Sequence, residues 1–162
     1  MVNIYQFAQQ MEKDGEQYYR ELANTSNDKG LQSIFHALAD DEVKHFRLFK
    51  EMEKGADPDW ASSEVFDKAK NIFAEKREVR ETYDFSDKQV TAYLKARDME
   101  ERAETFFREK AGEMENPYQK ELLMNLAEEE RKHRILIENI IEFISKPESW
   151  LENAEFHHSD PF

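Results

Sequence analysis

Glu42 and His45 stand three residues apart in LADDEVKHFRLF, and Glu130 and His133 stand three apart in LAEEERKHRILI. At that spacing a carboxylate and an imidazole project side by side from a helix and can ligate one pair of metal ions. Both pairs also sit where apolar side chains belong. Around the first, Phe35, Leu38, Val43, Phe46 and Phe49 recur at helical spacing. At about 100° per residue, Glu42 falls about 40° from Leu38, and His45 about 20° from it on the other side. Around the second, Leu126, Ile137, Ile140 and Ile144 define the stripe, with Glu130 and His133 within about 40° of Leu126.

The two pairs belong to a repeat. With the chain shifted by 88 residues, VNIYQFAQQMEKDGEQYYRELA (2–23) aligns without a gap on VTAYLKARDMEERAETFFREKA (90–111), nine of 22 positions being identical. The same offset carries LADDEVKH (38–45) onto LAEEERKH (126–133), with five of eight identical. One offset held through two helices and a turn implies two helical hairpins, each unable to bury its apolar face alone. The offset also pairs Glu12 with Glu100. Ile4, Ala8, Met11, Gly15, Tyr18 and Leu22 mark the inner face of the first helix. Glu12 lies about 60° from Gly15 and Glu16 about 100° from it, at the boundary. The inner ligands are therefore Glu12 rather than Glu16 and, by the repeat, Glu100 rather than Glu104.

Four Glu and two His thus converge on one interior. Desolvation costs a buried carboxylate several kcal/mol, and four together also repel one another. Proton sharing is one relief. Two divalent metals, matching four negative charges, are the other. Carboxylate oxygen with imidazole nitrogen suits iron, manganese or zinc better than magnesium or calcium. An ExxH alone is weak in so Glu-rich a chain; Glu155 and His158 make a third one, off the repeat, read as accidental. His157, His158 and Asp160 in the tail are likewise read as an incidental cluster.

The elements that must position these residues follow from periodicity and punctuation. Residues 3–23 read as the first amphipathic helix, NTSNDKG (24–30) as a turn, and 31–54 as the second helix, stopped by Gly55 and Pro58. Residues 55–85 form a long connection holding one shorter helix around Val65, Phe66, Ala69, Ile72 and Phe73. Ser86 with Gln89 is a capping box opening a third long helix, 87–111. A turn from Gly112 to Pro117 leads to the fourth, 118–145, ended by Pro147. A connection of that length can run the length of a bundle, which makes the second and third long helices parallel. The fold class is all-α: a four-helix bundle domain over 1–146 with an aromatic, irregular tail over 147–162. Trp150, Leu151, Phe156 and Phe162 in that tail are expected to fold back on the bundle or to make a homodimer contact.

Composition agrees. The chain has 162 residues, four Gly, four Pro, 39% hydrophobic and 36% charged residues, a helical profile. A net charge of −13 argues against nucleic acid and anionic membranes as partners. The absence of Cys excludes disulfides, thiolate zinc sites, iron–sulfur clusters and thiol catalysis within these residues. No signal peptide or membrane-length apolar run is visible, so the expected location is the cytoplasm.

MEKDGEQYYRELA, IFHALADDEVKH, MEERAETFFREKA and LLMNLAEEERKH, spanning about residues 1–145, resemble the ferritin-like di-iron carboxylate family, most closely its rubrerythrin branch. The resemblance implies a ferritin-like bundle holding two iron ions, for which manganese or zinc could substitute. It implies Glu12 and Glu100 as terminal ligands, Glu42 and Glu130 as bridges, and His45 and His133 as one cap each. Tyr19, seven residues after Glu12, falls where family members often have a tyrosine near the metals, and is the expected catalytic residue; its repeat image is Phe107. Asp41 and Glu129 are placed to accept the ring N–H of the opposite hairpin's His. Tyr5 and Tyr93 face the same side and read equally well as core aromatics. The implied activity is reduction of hydrogen peroxide or dioxygen, with electrons from an external donor protein. The rivals are a ferroxidase feeding iron storage and a helical binding module with structural metals. Two departures stand out. An extra Glu that rubrerythrins typically carry one turn after the third-helix ligand is Ala103 here, with Glu104 as a displaced candidate, and no Cys-rich rubredoxin domain is present in the sequence.

Overall fold

The computed structural model describes residues 3–79 and 83–152. Six helices occur among them: α1 (Ile4–Thr25), α2 (Lys29–Glu53), α3 (Val65–Glu78), α4 (Asp87–Glu113), α5 (Pro117–Ser145) and α6 (Pro147–Glu152). Their ends are set by local chemistry. Asn3 and Asp28 accept the first free backbone N–H groups of α1 and α2, from Gln6 and Leu31 at 2.8 and 2.9 Å. Ser86 and Gln89 form the reciprocal capping box that opens α4. Asn116 caps α5, with Pro117 in its first turn. α2 stops where Gly55 takes φ 85°, and the amides of Gly55 and Ala56 close back on the carbonyls of Met52 and Glu51.

Side-chain pairs fix the directions. α1 and α2 form one antiparallel hairpin, with Asn3 near Glu53 and Arg20 near Asp40. α4 and α5 form the second, with Arg108 on Glu128 and Arg134 on Glu104. Phe7 meets Phe106, while the Tyr18 hydroxyl reaches the Ala92 carbonyl, so α1 and α4 run antiparallel. α2 and α4 are therefore parallel, and the segment between them, α3 included, crosses from one end of the bundle to the other.

The interior is layered. One apolar cluster gathers Leu22, Leu31, Phe35, Leu38, Phe73, Ile137 and Phe143. A second gathers Ala8, Phe49, Met52, Phe107, Leu122 and Leu126. Between them lies a layer of buried carboxylates and imidazoles. α3 is the one shorter helix expected within the connection around Val65, Phe66, Ala69, Ile72 and Phe73; it runs to Glu78, with Phe73 packing edge-on against Phe143 at 5.0 Å.

Two details differ from the sequence reading. The inner face of α1 is Ala8, Glu12, Gly15, Tyr19 and Leu22; Ile4, Met11 and Tyr18 are only half-buried on its flank. The tail is not irregular from its start. Pro147–Glu152 is helical, because Trp150 finds Phe73 at 4.8 Å and Phe143 at 5.8 Å and folds back on its own bundle. Phe156, Phe162 and the Glu155, His157, His158 and Asp160 cluster lie outside the described residues. Among the described residues, no helix is long and apolar enough to cross a membrane.

Candidate metal centre

Each long helix sends one or more polar side chains into the middle layer: Glu12 from α1, Glu42 and His45 from α2, Glu100 from α4, Glu130 and His133 from α5. All six are buried, none more than 3% exposed. They fall into two overlapping groups. Glu12, Glu42, His45 and Glu130 offer ligand atoms within 4.8 Å of one another, and so do Glu42, Glu100, Glu130 and His133. Glu42 and Glu130 belong to both groups. Glu12 and Glu100 belong to one group each, as do the histidines. The geometry matches the repeat residue for residue.

The histidines are held by their outer nitrogens. His45 Nε2 lies 2.7 Å from Glu129 Oε1, and His133 Nε2 lies 2.9 Å from Asp41 Oδ2. A carboxylate only accepts, so Nε2–H donates outward, and Nδ1 is the nitrogen that faces the cluster, where it offers a lone pair once its own proton is displaced. His45 Nδ1 stands 3.3 Å from Glu12 and 2.9 Å from Glu130; His133 Nδ1 stands 3.4 Å from Glu100 and 3.6 Å from Glu42. Asp41 and Glu129 thus each accept from the histidine of the opposite hairpin.

The fit to a metal pair rests on what these groups lack. Glu12 Oε1, Glu42 Oε1, Glu100 Oε2 and His133 Nδ1 are buried with no hydrogen-bond partner, and Glu130 Oε1 has only His45 Nδ1 beside it at 2.9 Å. An unmatched buried polar atom costs about 1–3 kcal/mol, more when charged. Three orphaned carboxylate oxygens, with an orphaned imidazole nitrogen among them, form an electrophile-binding set. In the metal-free protein protons must serve instead. Burial, then the neighbouring carboxylates, pushes the Glu42 and Glu130 carboxyls well above their usual range, and Glu12 upward as well. Burial acts to lower His45 and His133, yet the surrounding carboxylates outweigh it and raise both well above the ordinary imidazole value. Burial also acts to raise Glu100, but His133 and the hydroxyl of Tyr19 hold it down at about 2.

Tyr19 is buried in the same layer, and its hydroxyl donates a short hydrogen bond to Glu100 Oε1. Burial, followed by the charge of Glu100, drives its pKa well up, so it stays a proton donor. Its image Phe107 has no hydroxyl to offer Glu12. Glu16 and Glu104 stay out of the cluster: Glu16 pairs with Arg20 at 3.5 Å, and Glu104 with Arg108 and Arg134 at 3.0 and 3.4 Å. Tyr5 reaches Gln119 at 3.2 Å, and Tyr93 packs on Phe35 at 5.0 Å. Neither joins the cluster.

The periodicity gave no sign of two residues on the connection before α3. Trp60 lies parallel to the His45 ring at 6.5 Å. Ser63 contacts both Asp41 and Glu129. Neither occupies a helical face. On the opposite side, between α1 and α4, a pocket of about 160 Å³ opens onto Glu12, Glu42, Glu100 and Glu130, walled by Met11, Gly15, Tyr19 and Met99.

A family model described as rubrerythrin matches residues 3–141. No curated protein and no solved structure matches the chain.

Proposed function

The chain belongs to the rubrerythrin family, and from that premise we propose that it is a di-iron oxidoreductase reducing hydrogen peroxide or dioxygen. The observation that carries the reading is the pocket between α1 and α4. It is small, includes the exposed Asp14 and Arg102 in its lining, and ends on the buried carboxylates rather than the histidines. A water molecule fills about 30 Å³ of liquid, so this space holds about five waters, and a peroxide or dioxygen reaches the carboxylates with room to spare.

In this reading Glu12 and His45 would help hold one ion, Glu100 and His133 the other, and Glu42 and Glu130 would serve both, each histidine offering Nδ1. Bound ferrous ions supply the two electrons that an O–O bond takes up on reduction. The chain supplies the rest. Asp41 and Glu129 hold both imidazoles in one tautomer. The two apolar clusters exclude bulk water from the layer. Tyr19 holds its proton at Oη, on Glu100 and at the pocket wall, where it orients the carboxylate and can donate to an oxygen atom beside it. With no Cys in the sequence, an external protein is the proposed source of electrons. A cytoplasmic homodimer is part of the same proposal.

The test is anaerobic loading with Fe(II) followed by rapid mixing with peroxide and, separately, with dioxygen. Two irons per chain, oxidised by peroxide within one turnover, is the expected result. Continued uptake of many irons per chain, oxidised by dioxygen, would favour the storage reading. Tight binding of two metals with no oxidation by either reagent would refute the enzyme and favour a structural metal module.

A further inference from the structure

Asp41 and Glu129 are repeat images, and one residue outside the repeat pattern touches both. Ser63 lies on the connection between α2 and α3, where the two carboxylates approach each other. Its hydroxyl donates to Asp41 Oδ2, the oxygen that also accepts His133 Nε2–H at 2.9 Å. Its backbone N–H donates to Glu129 Oε2 at 3.1 Å, while Oε1 of the same carboxylate accepts His45 Nε2–H at 2.7 Å. The amide of Val65 donates to Ser63 Oγ at 3.0 Å, which occupies a lone pair and turns the hydroxyl proton toward Asp41. Asp41 and Glu129 are 4% and 6% exposed, so water does little to replace these donors.

Two relays therefore meet at one residue: Ser63 Oγ–H to Asp41 to His133, and Ser63 N–H to Glu129 to His45. We propose that Ser63 is a positioning residue that orients both histidines of the metal centre through chemically different donors, its hydroxyl governing the His133 position and its amide the His45 position. This rests on the di-iron reading above. The connection is then a strap pinned to the centre rather than a passive linker. Losing the hydroxyl leaves Asp41 with one donor where it had two and frees it to rotate. The His133 ring loosens with it. His45 keeps its relay, because an amide survives any side-chain change except to proline.

The experiment is Co(II) titration of the metal-free full chain, followed by visible absorption and calorimetry, in two single-position backgrounds. Glu12→Ala retains the position of Glu100 and His133; Glu100→Ala retains that of Glu12 and His45. Removing an outer hydrogen-bond partner of a ligand histidine typically weakens binding about 10–100-fold. Ser63→Ala is expected to lower Co(II) affinity about tenfold in the Glu12→Ala background and to leave the Glu100→Ala background unchanged. Ser63→Thr is expected to restore it, and Asp41→Asn to give the same one-sided loss should Ser63→Ala fold poorly. Equal loss in both backgrounds, or none in either, overturns the assignment while leaving two-metal binding by the unmodified chain intact. An unmodified chain that binds fewer than two Co(II) overturns the metal reading itself, and the role of Ser63 with it.

Discussion

Gly15 lies in the middle of α1 with its back to Glu42, and replacing it with alanine should separate stability from metal binding. A Cβ built there would stand 3.1 Å from Glu42 Oε2, 3.3 Å from Cδ and 3.5 Å from Cγ. The first two are inside ordinary contact, so the carboxylate must give by a few tenths of an ångström. In an unstrained helix interior Gly→Ala stabilises by about 1 kcal/mol. Metal-free, no ion holds Glu42, and if its carboxylate gives by those few tenths, Gly15→Ala should raise the melting temperature, by about 2–4 °C if the full 1 kcal/mol is realised. If Glu42 serves two ions, as proposed, its displacement in the metal-loaded protein should lower affinity about tenfold, or 1.4 kcal/mol. The assay is calorimetric melting with and without metal, beside direct metal titration. The gap in melting temperature between loaded and metal-free forms should narrow. Ala103, the repeat image, already carries the methyl; Ala103→Gly should cost about 1 kcal/mol and leave affinity alone. A Gly15→Ala protein that binds both metals as tightly as the parent would show that the glycine is not there to give Glu42 room.

Three further outcomes follow. Glu12→Ala should bind at most one metal per chain while Glu16→Ala still binds two, as measured by metal analysis after gel filtration; the reverse would place the ligand face one turn away. Glu42, Glu130, His45 and His133 have folded-state pKa values above their unfolded 4.5 and 6.5, so their stabilisation is full below those values and is lost as pH rises through the folded ones. The metal-free protein should therefore melt lower at pH 9 than at pH 6. Metal must displace those same protons, so affinity should rise over that range, and a metal-free melting temperature that climbs with pH would contradict the assignment. Trp150→Ala, which empties a site between Phe73 and Phe143, should cost about 3 kcal/mol in denaturant unfolding with metal stoichiometry unchanged; no loss would mean that α6 is not held by that contact.

What the sequence disclosed came from its redundancy. The 88-residue offset tied two weak ExxH signals to each other and to Glu12 and Glu100, and caps such as Ser86 with Gln89 marked helix ends by local chemistry that tertiary packing had no reason to override. The register of α1 was read slightly askew because its buried face is built from Ala8, Glu12, Gly15 and Tyr19, three of them small or polar, while Met11 and Tyr18 pull the apolar stripe toward the flank. Ser63 and Trp60 carried no signal, since an irregular segment has no period and their partners Asp41, Glu129 and His45 are distant in sequence. α6 was missed because six residues after a proline show no periodicity, and only Phe73 and Phe143 make a helix there worthwhile.

Neither hairpin owns a whole ion position. The group around His45 draws Glu130 from the other hairpin, and the group around His133 draws Glu42. Any ion held there is a clasp between the two halves of the chain, in a sequence that has no cysteine to sew them together. The hairpins can swing apart only by letting go of both ions at once. Loading as proposed would then do more than equip the bundle for chemistry: it would turn two helical hairpins leaning on each other into one mechanically closed unit.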